Sequence, residues 1–135
     1  MSKIDLKDYE NFVASTVSEP SRDFESLIFR MDDLVQEDLV QLPQLLTAAL
    51  GLSAEAGEFT EVVKKILLQG KPLNEENVFH MKRELGDILW YVSMGCAALN
   101  TSLEEVLVMN VEKLSARYPE GFNIIKSEIR KEGDV

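Results

Sequence analysis

From Leu45 to Ile66 the apolar residues recur in alternating steps of four and three: Leu45, Ala49, Leu52, Ala56, Phe59, Val63 and Ile66. That spacing lays an apolar stripe along one face of an α-helix and conflicts with the period-two alternation of a strand. Pro43 suits the first turn and Gly70 the stop, while Lys64 and Lys65 sit near the negative end of the helix dipole. A helix over 43–69 is about 40 Å long. An element of that length dominates the architecture of a chain of 135 residues.

The rest of the chain follows suit. Leu6, Tyr9, Phe12 and Val13 mark one face of a short helix behind Asp5, which halts in the stretch Ser18-Glu19-Pro20-Ser21. Residues 22–40 read as partly helical. A third pattern opens near Asn74, carries Met81, Leu85, Ile88, Val92 and Leu99, and ends around Asn100. A fourth starts with Ser102 and Glu105 in capping-box spacing, carries Leu103, Leu107, Val111 and Leu114, and ends before Pro119. No segment alternates like a strand. The expectation is an all-α bundle of four to five helices forming one domain over residues 1–135.

Charge narrows the function classes. Lys plus Arg number 14 against 24 Asp plus Glu, a formal net charge of −10. Nucleic acids and anionic membranes require a basic footprint, so neither is an expected partner. The start of the chain lacks the apolar run of a signal peptide, and the stretch from Leu85 to Leu103 is interrupted by Asp87. Cys96 is the one cysteine. These features point to a cytoplasmic protein.

Three acidic pairs at i, i+3 lie in the helical patterns: Glu55/Glu58, Glu58/Glu61 and Glu84/Asp87. Spacing alone proves nothing, because chance at this acidic frequency supplies about four such pairs and four occur. Their surroundings are what distinguish them. Glu55 is the only charged residue from Leu42 to Gly57, and Asp87 the only one from Leu85 to Leu103. A solvated helix face mixes Lys, Arg and Gln with its Glu; these carboxylates sit instead among Ala54, Ala56, Gly57, Gly86 and Ile88. A semi-buried carboxylate must be protonated, ion-paired or bound to a metal. Glu55, Glu58, Glu84 and Asp87, drawn from two antiparallel helices, would form a hard oxygen site suited to Mg²⁺, with Mn²⁺ a possible substitute. Gly51, Gly57, Gly86 and Gly95 fall inside the same helices at about 1 kcal/mol each relative to Ala. Close helix approach, or room for a ligand beside Gly57 and Gly86, would offset that penalty. In the last long helix Asn110, Lys113 and Arg117 share a 60° arc and could grip phosphate oxygens.

Glu55-x-x-Glu58, Glu84-x-x-Asp87 within Arg83-Glu84-Leu85-Gly86-Asp87-Ile88-Leu89-Trp90-Tyr91, and Asn110-x-x-Lys113-Leu114-x-x-x-Arg117-Tyr118 together resemble the MazG family of nucleotide pyrophosphohydrolases. The run Leu50 to Glu58 is similar to that family as well. The resemblance covers roughly residues 42–122, and the whole chain resembles the short single-domain versions carried by bacteriophages, particularly those of cyanobacteria. It implies an all-α fold assembling as a homodimer or homotetramer, with the site near a subunit interface. It also implies Mg²⁺-dependent cleavage of a nucleoside triphosphate to the monophosphate and pyrophosphate. Glu55, Glu58, Glu84 and Asp87 then become metal ligands, and Lys113 and Arg117 triphosphate contacts, with Asn110 and Tyr91 as further substrate-binding positions. Residues 1–41 and the tail after Phe122 match no motif.

Such a site suits metal-assisted hydrolysis, with water attacking the α-phosphorus in line and pyrophosphate leaving. Glu58 is the favoured proton acceptor, since Glu55 reads as more enclosed. His80 follows Glu76 by four but lacks the Glu-x-x-His partners of a di-iron bundle, and reads as a partly exposed residue of its helix. Cys96 reads as a buried thiol and Trp90 as a packing or base-stacking residue. The competing function is a non-catalytic acidic helical dimerisation module whose carboxylates serve solubility.

Overall fold

The computed structural model describes residues 4–129, and all regular structure among them is helical. In order come α1 (Leu6–Thr16), a 3-10 turn (Glu19–Ser21), α2 (Phe24–Gln36), α3 (Leu42–Leu68), α4 (Glu75–Ala98), α5 (Leu103–Arg117) and α6 (Ile124–Glu128). The all-α expectation holds, with one helix more than the sequence pattern gave. The addition is α6, whose 5 residues are too few to display a helical period. The chain divides after Leu42 into two compact units, and that boundary coincides with the start of the motif-bearing stretch.

In the first unit each helix is started by an aspartate. Asp5 Oδ1 accepts the Lys7 and Asp8 N–H groups at 2.8 and 3.4 Å, and Asp23 Oδ2 accepts that of Ser26 at 2.7 Å. These caps satisfy donors that the first helical turn leaves without partners. Pro20 occupies the opening turn of the 3-10 segment. Neither α1 nor α2 has a buried residue.

The second unit is built on a hairpin of α3 and α4. Gly70 turns the chain at φ +71°, while the Lys65 carbonyl accepts N–H groups from both Gln69 and Lys71 at 3.1 Å. Asn74 caps α4 through the Asn77 N–H, and the Asn77 amide donates back to the Pro72 carbonyl at 2.7 Å. Asn77 is therefore buried with its donors used. The helices run antiparallel: the methyl of Ala48 packs by Gly95, the Tyr91 ring lies on Gly51, and Glu55 meets Glu84 and Asp87. Asn100, at φ +56°, reverses the chain into α5. There Ser102 Oγ accepts the Glu105 N–H, but Glu105 takes the Thr101 hydroxyl instead of closing the expected reciprocal box.

One sequence expectation shifts. The line of α3 that meets α4 runs through Ala48, Gly51, Glu55 and Val62, not through the apolar stripe of Leu45, Ala49, Leu52 and Ala56. Ala48 and Val62 are buried, whereas of the stripe Ala49, Leu52 and Ala56 stay exposed and Leu45, Phe59, Val63 and Ile66 are half-buried. On that line Ala48 and Gly51 let the two backbones approach. The α5 stripe is likewise open: Leu107, Val111 and Leu114 are all exposed. The buried apolar set is small, namely Ala48, Val62, Cys96 and Ala98, and no large side chain among the described residues is fully enclosed.

Candidate metal centre

The α3–α4 hairpin brings three of the four proposed ligands together. One carboxylate oxygen from each of Glu55, Glu58 and Glu84 lies within 4.8 Å of the other two. Glu55 and Glu58 stand one turn apart on α3, and Glu84 reaches across from α4. Asp87 is exposed and lies outside that triad, yet near enough for its charge to act on Glu55. The sequence reading marked Glu55 and Asp87 as the enclosed carboxylates. The structure gives that place to Glu84, which is 6% exposed.

The electrostatics of the cluster are unfavourable as it stands. Withdrawal from water and then the negative charges of Glu58, Asp87 and Glu84 hold the Glu55 carboxyl above its usual range. Glu55 and Glu84 come close enough to share a proton. The charges that act on Glu55 are those of Glu58, Asp87 and Glu84. Glu84 Oε1 is 2.9 Å from His80 Nε2, but its Oε2 is buried with no hydrogen-bond partner. An unpartnered oxygen on a buried carboxylate, beside two further carboxylates, fits a hard divalent cation. No other metal-competent group of three or more ligands occurs among the described residues.

Tyr91 sits beside this centre. Its ring lies against Gly51, one turn before Glu55 on α3, and meets Trp90 edge-to-face at 4.8 Å and 89°. Trp90 remains 57% exposed. The glycines separate into two kinds. Gly51 and Gly95 mark close packing between the helices, whereas a Cβ on Gly57 or Gly86 would meet nothing within 4 Å. Beside the carboxylates, then, glycine leaves open space instead of tightening the packing.

Asn110, Lys113 and Arg117 share one face of α5, as their spacing required. Asn110 and Lys113 are exposed; the Arg117 guanidinium lies 5.9 Å from the Tyr118 ring centroid. Glu61 pairs with Lys65 at 3.0 Å, both about half exposed. Glu58, Glu61, Val62, Lys65, Lys71 and His80 line a pocket of about 230 Å³ next to the triad. His80 is the contributor that sequence reasoning set aside. Its signal was the i, i+4 step to Glu84, overlooked in favour of the step back to Glu76.

Residues 44–122 match the MazG nucleotide pyrophosphohydrolase domain. Over 85 residues the chain is 35% identical to the Gene 37 protein of Mycobacterium phage L5, covering 62% of this chain and 75% of that protein. No solved structure matches it. No helix among the described residues is long and apolar enough to cross a membrane.

Proposed function

This chain belongs to the MazG nucleotide pyrophosphohydrolase family, and we propose that it cleaves a nucleoside triphosphate to the monophosphate and pyrophosphate with Mg²⁺, Mn²⁺ being a substitute. The observation that carries the reading is Glu84 Oε2, buried without a partner in a cluster with Glu55 and Glu58. A solubility module has no reason to bury a carboxylate and leave one of its oxygens unused, so the interaction-module alternative is the weaker reading.

Glu55, Glu58 and Glu84 would hold the cation, with Asp87 completing the set from the same end of the hairpin. A divalent ion bound there neutralises phosphate charge and acidifies water. Glu58 is the most exposed of the triad, which makes it the carboxylate best placed to accept a proton from the attacking water. Water attacks the α-phosphorus, the α–β bridging bond breaks, and pyrophosphate departs. Lys113 and Arg117 take the β- and γ-phosphates through charge-assisted hydrogen bonds, with Asn110 adding an amide. Tyr91, fixed on Gly51, presents its ring beside the reacting centre.

Assembly belongs to the same reading. Exposed leucines of α3, Leu50 and Leu67 among them, and the open stripe of α5 are more apolar surface than a lone chain of this size tolerates, and a homodimer or dimer of dimers covers them. We place the protein in the cytoplasm, the host's if it is viral. The decisive experiment measures pyrophosphate and monophosphate release across a panel of ribo- and deoxyribonucleotides with and without Mg²⁺. Release that requires Mg²⁺ and is lost in Glu55→Gln supports the proposal; no release from any nucleotide refutes it.

A further inference from the structure

We infer that His80 is a positioning residue for Glu84, holding one carboxylate oxygen so that the other stays available to a divalent cation. The inference rests on the metal-dependent reading above and extends it to a side chain outside the ligand set.

The geometry is specific. His80 Nε2 and Glu84 Oε1 are 2.9 Å apart, across one turn of α4. The Glu84 side chain is 8% exposed and that of His80 48%, so the imidazole stands at the boundary between water and the buried carboxylate. Glu84 Oε2 has no partner at all. A glutamate turns freely about its last torsion unless one oxygen is tethered. Here the tether comes from the same helix, so it is in place before any ligand arrives. An imidazole N–H donated to Oε1 selects the carboxylate orientation that keeps Oε2 within the enclosure of Glu55 and Glu58. Without that donor the Glu84 carboxylate turns freely about its last torsion, and Oε2 is held in no single direction. His80 also lines the adjoining pocket with Glu58 and Lys71, so its ring braces the wall through which the cluster meets solvent. Orienting partners behind metal ligands commonly govern affinity in this way.

The test compares wild type, His80→Ala and His80→Gln, all as the full chain, titrated with MgCl₂ and with MnCl₂. Thermal melting gives the metal-induced rise in Tm without nucleotide, and pyrophosphate release gives the Mg²⁺ concentration for half-maximal rate. In His80→Ala both midpoints should move to about tenfold higher metal or more. The metal-free Tm should change little, because the side chain is half exposed. His80→Gln, whose amide can donate over the same i, i+4 step, should recover most of the loss. The Mg²⁺ requirement should rise far more than kcat at saturating Mg²⁺ falls, a split that general loosening of α4 does not produce. Wild-type metal midpoints in His80→Ala overturn the inference, as does equal impairment of the Ala and Gln variants. A wild type with neither a metal-induced rise in Tm nor Mg²⁺-dependent pyrophosphate release overturns the pyrophosphohydrolase reading, whereas a wild type that shows both beside an unaffected His80→Ala overturns this inference alone.

Discussion

The Tyr91 ring occupies the space that a side chain on Gly51 would fill. That single fit joins α4 to α3 one turn from Glu55, and it explains a glycine in the middle of a long helix. Gly51→Ala should therefore lower Tm even though alanine favours the helix by about 1 kcal/mol, because overpacking of this kind costs about 1–3 kcal/mol. The displaced ring should also raise the nucleotide KM. Chemical denaturation beside steady-state kinetics checks both, and a more stable variant with unchanged kinetics would remove Tyr91 from the site.

Gly57 and Gly86 should behave in the opposite way. A methyl group at either meets nothing within 4 Å, so alanine there gains helix propensity, about 1 kcal/mol, without a clash in the lone chain. The expected outcome is a higher Tm in the absence of metal and nucleotide, with reduced turnover because the added methyl enters space kept for substrate. Full activity in both alanine variants would show that the glycines leave that space for no ligand.

The positions of the helices were legible because their ends carry explicit chemistry. Asp5, Asn74 and Ser102 cap where the residue pattern put them, and Gly70 adopts the positive φ that a helix stop invites. Which face of α3 meets α4 was not legible. Periodicity scores apolar side chains, whereas the line that meets α4 passes through Ala48 and Gly51 and leaves Ala49 and Leu52 exposed. The same blindness misplaced the enclosed carboxylate. Glu84 follows Lys82 and Arg83 in sequence and so lacks the isolation from other charges that marked Glu55 and Asp87, but both basic residues are exposed while Glu84 crosses to α3. The match of Glu61 with Lys65 was the simpler case, since a surface pair on one helix needs only i, i+4 spacing.

Glu55 gives the cluster a pH signature. Its carboxyl is held above the ordinary value of 4.5, chiefly by removal from water and then by Glu58, Asp87 and Glu84. The folded state thus binds this proton more tightly than the unfolded chain. Stability from Glu55 is greatest below its ordinary pKa and declines as pH rises through the raised one. The metal-free protein should lose Tm across that window relative to Glu55→Gln, and Mg²⁺ should cancel the difference at neutral pH. Parallel melting curves for the two proteins from pH 4 to 7 without metal, both titrated relative to Glu61→Gln as control, would contradict it.

Lys113 separates substrate binding from metal binding. It is exposed on α5, and its assigned partner is phosphate. Lys113→Ala should keep the Mg²⁺-induced rise in Tm while losing about tenfold in kcat/KM for triphosphate, the loss of one charge-assisted contact. Asp87→Asn should instead lose metal response and turnover together. If Lys113→Ala retains full kcat/KM, the phosphates are held by other cations, and Lys65 and Lys71 beside Glu58 are the next to substitute.

Assembly is the largest energetic demand the structure makes. Leu50 and Leu67 of α3 are 66% and 73% exposed, and Leu107 and Val111 of α5 are 56% and 62% exposed. Each such side chain contributes about 1.5–3 kcal/mol when fully withdrawn from water. Among the described residues only Ala48, Val62, Cys96 and Ala98 are buried apolar side chains, and a second copy is the proposed source of further apolar burial. Glutamate at Leu107 and Val111 places two charges on the open α5 stripe, where an apolar partner would have to desolvate them. Sedimentation of the wild type at micromolar concentration should give a dimer or tetramer, and Leu107→Glu with Val111→Glu should shift it toward smaller species and lower Tm. A wild-type mass of 15.2 kDa, the single chain, would end the assembly proposal.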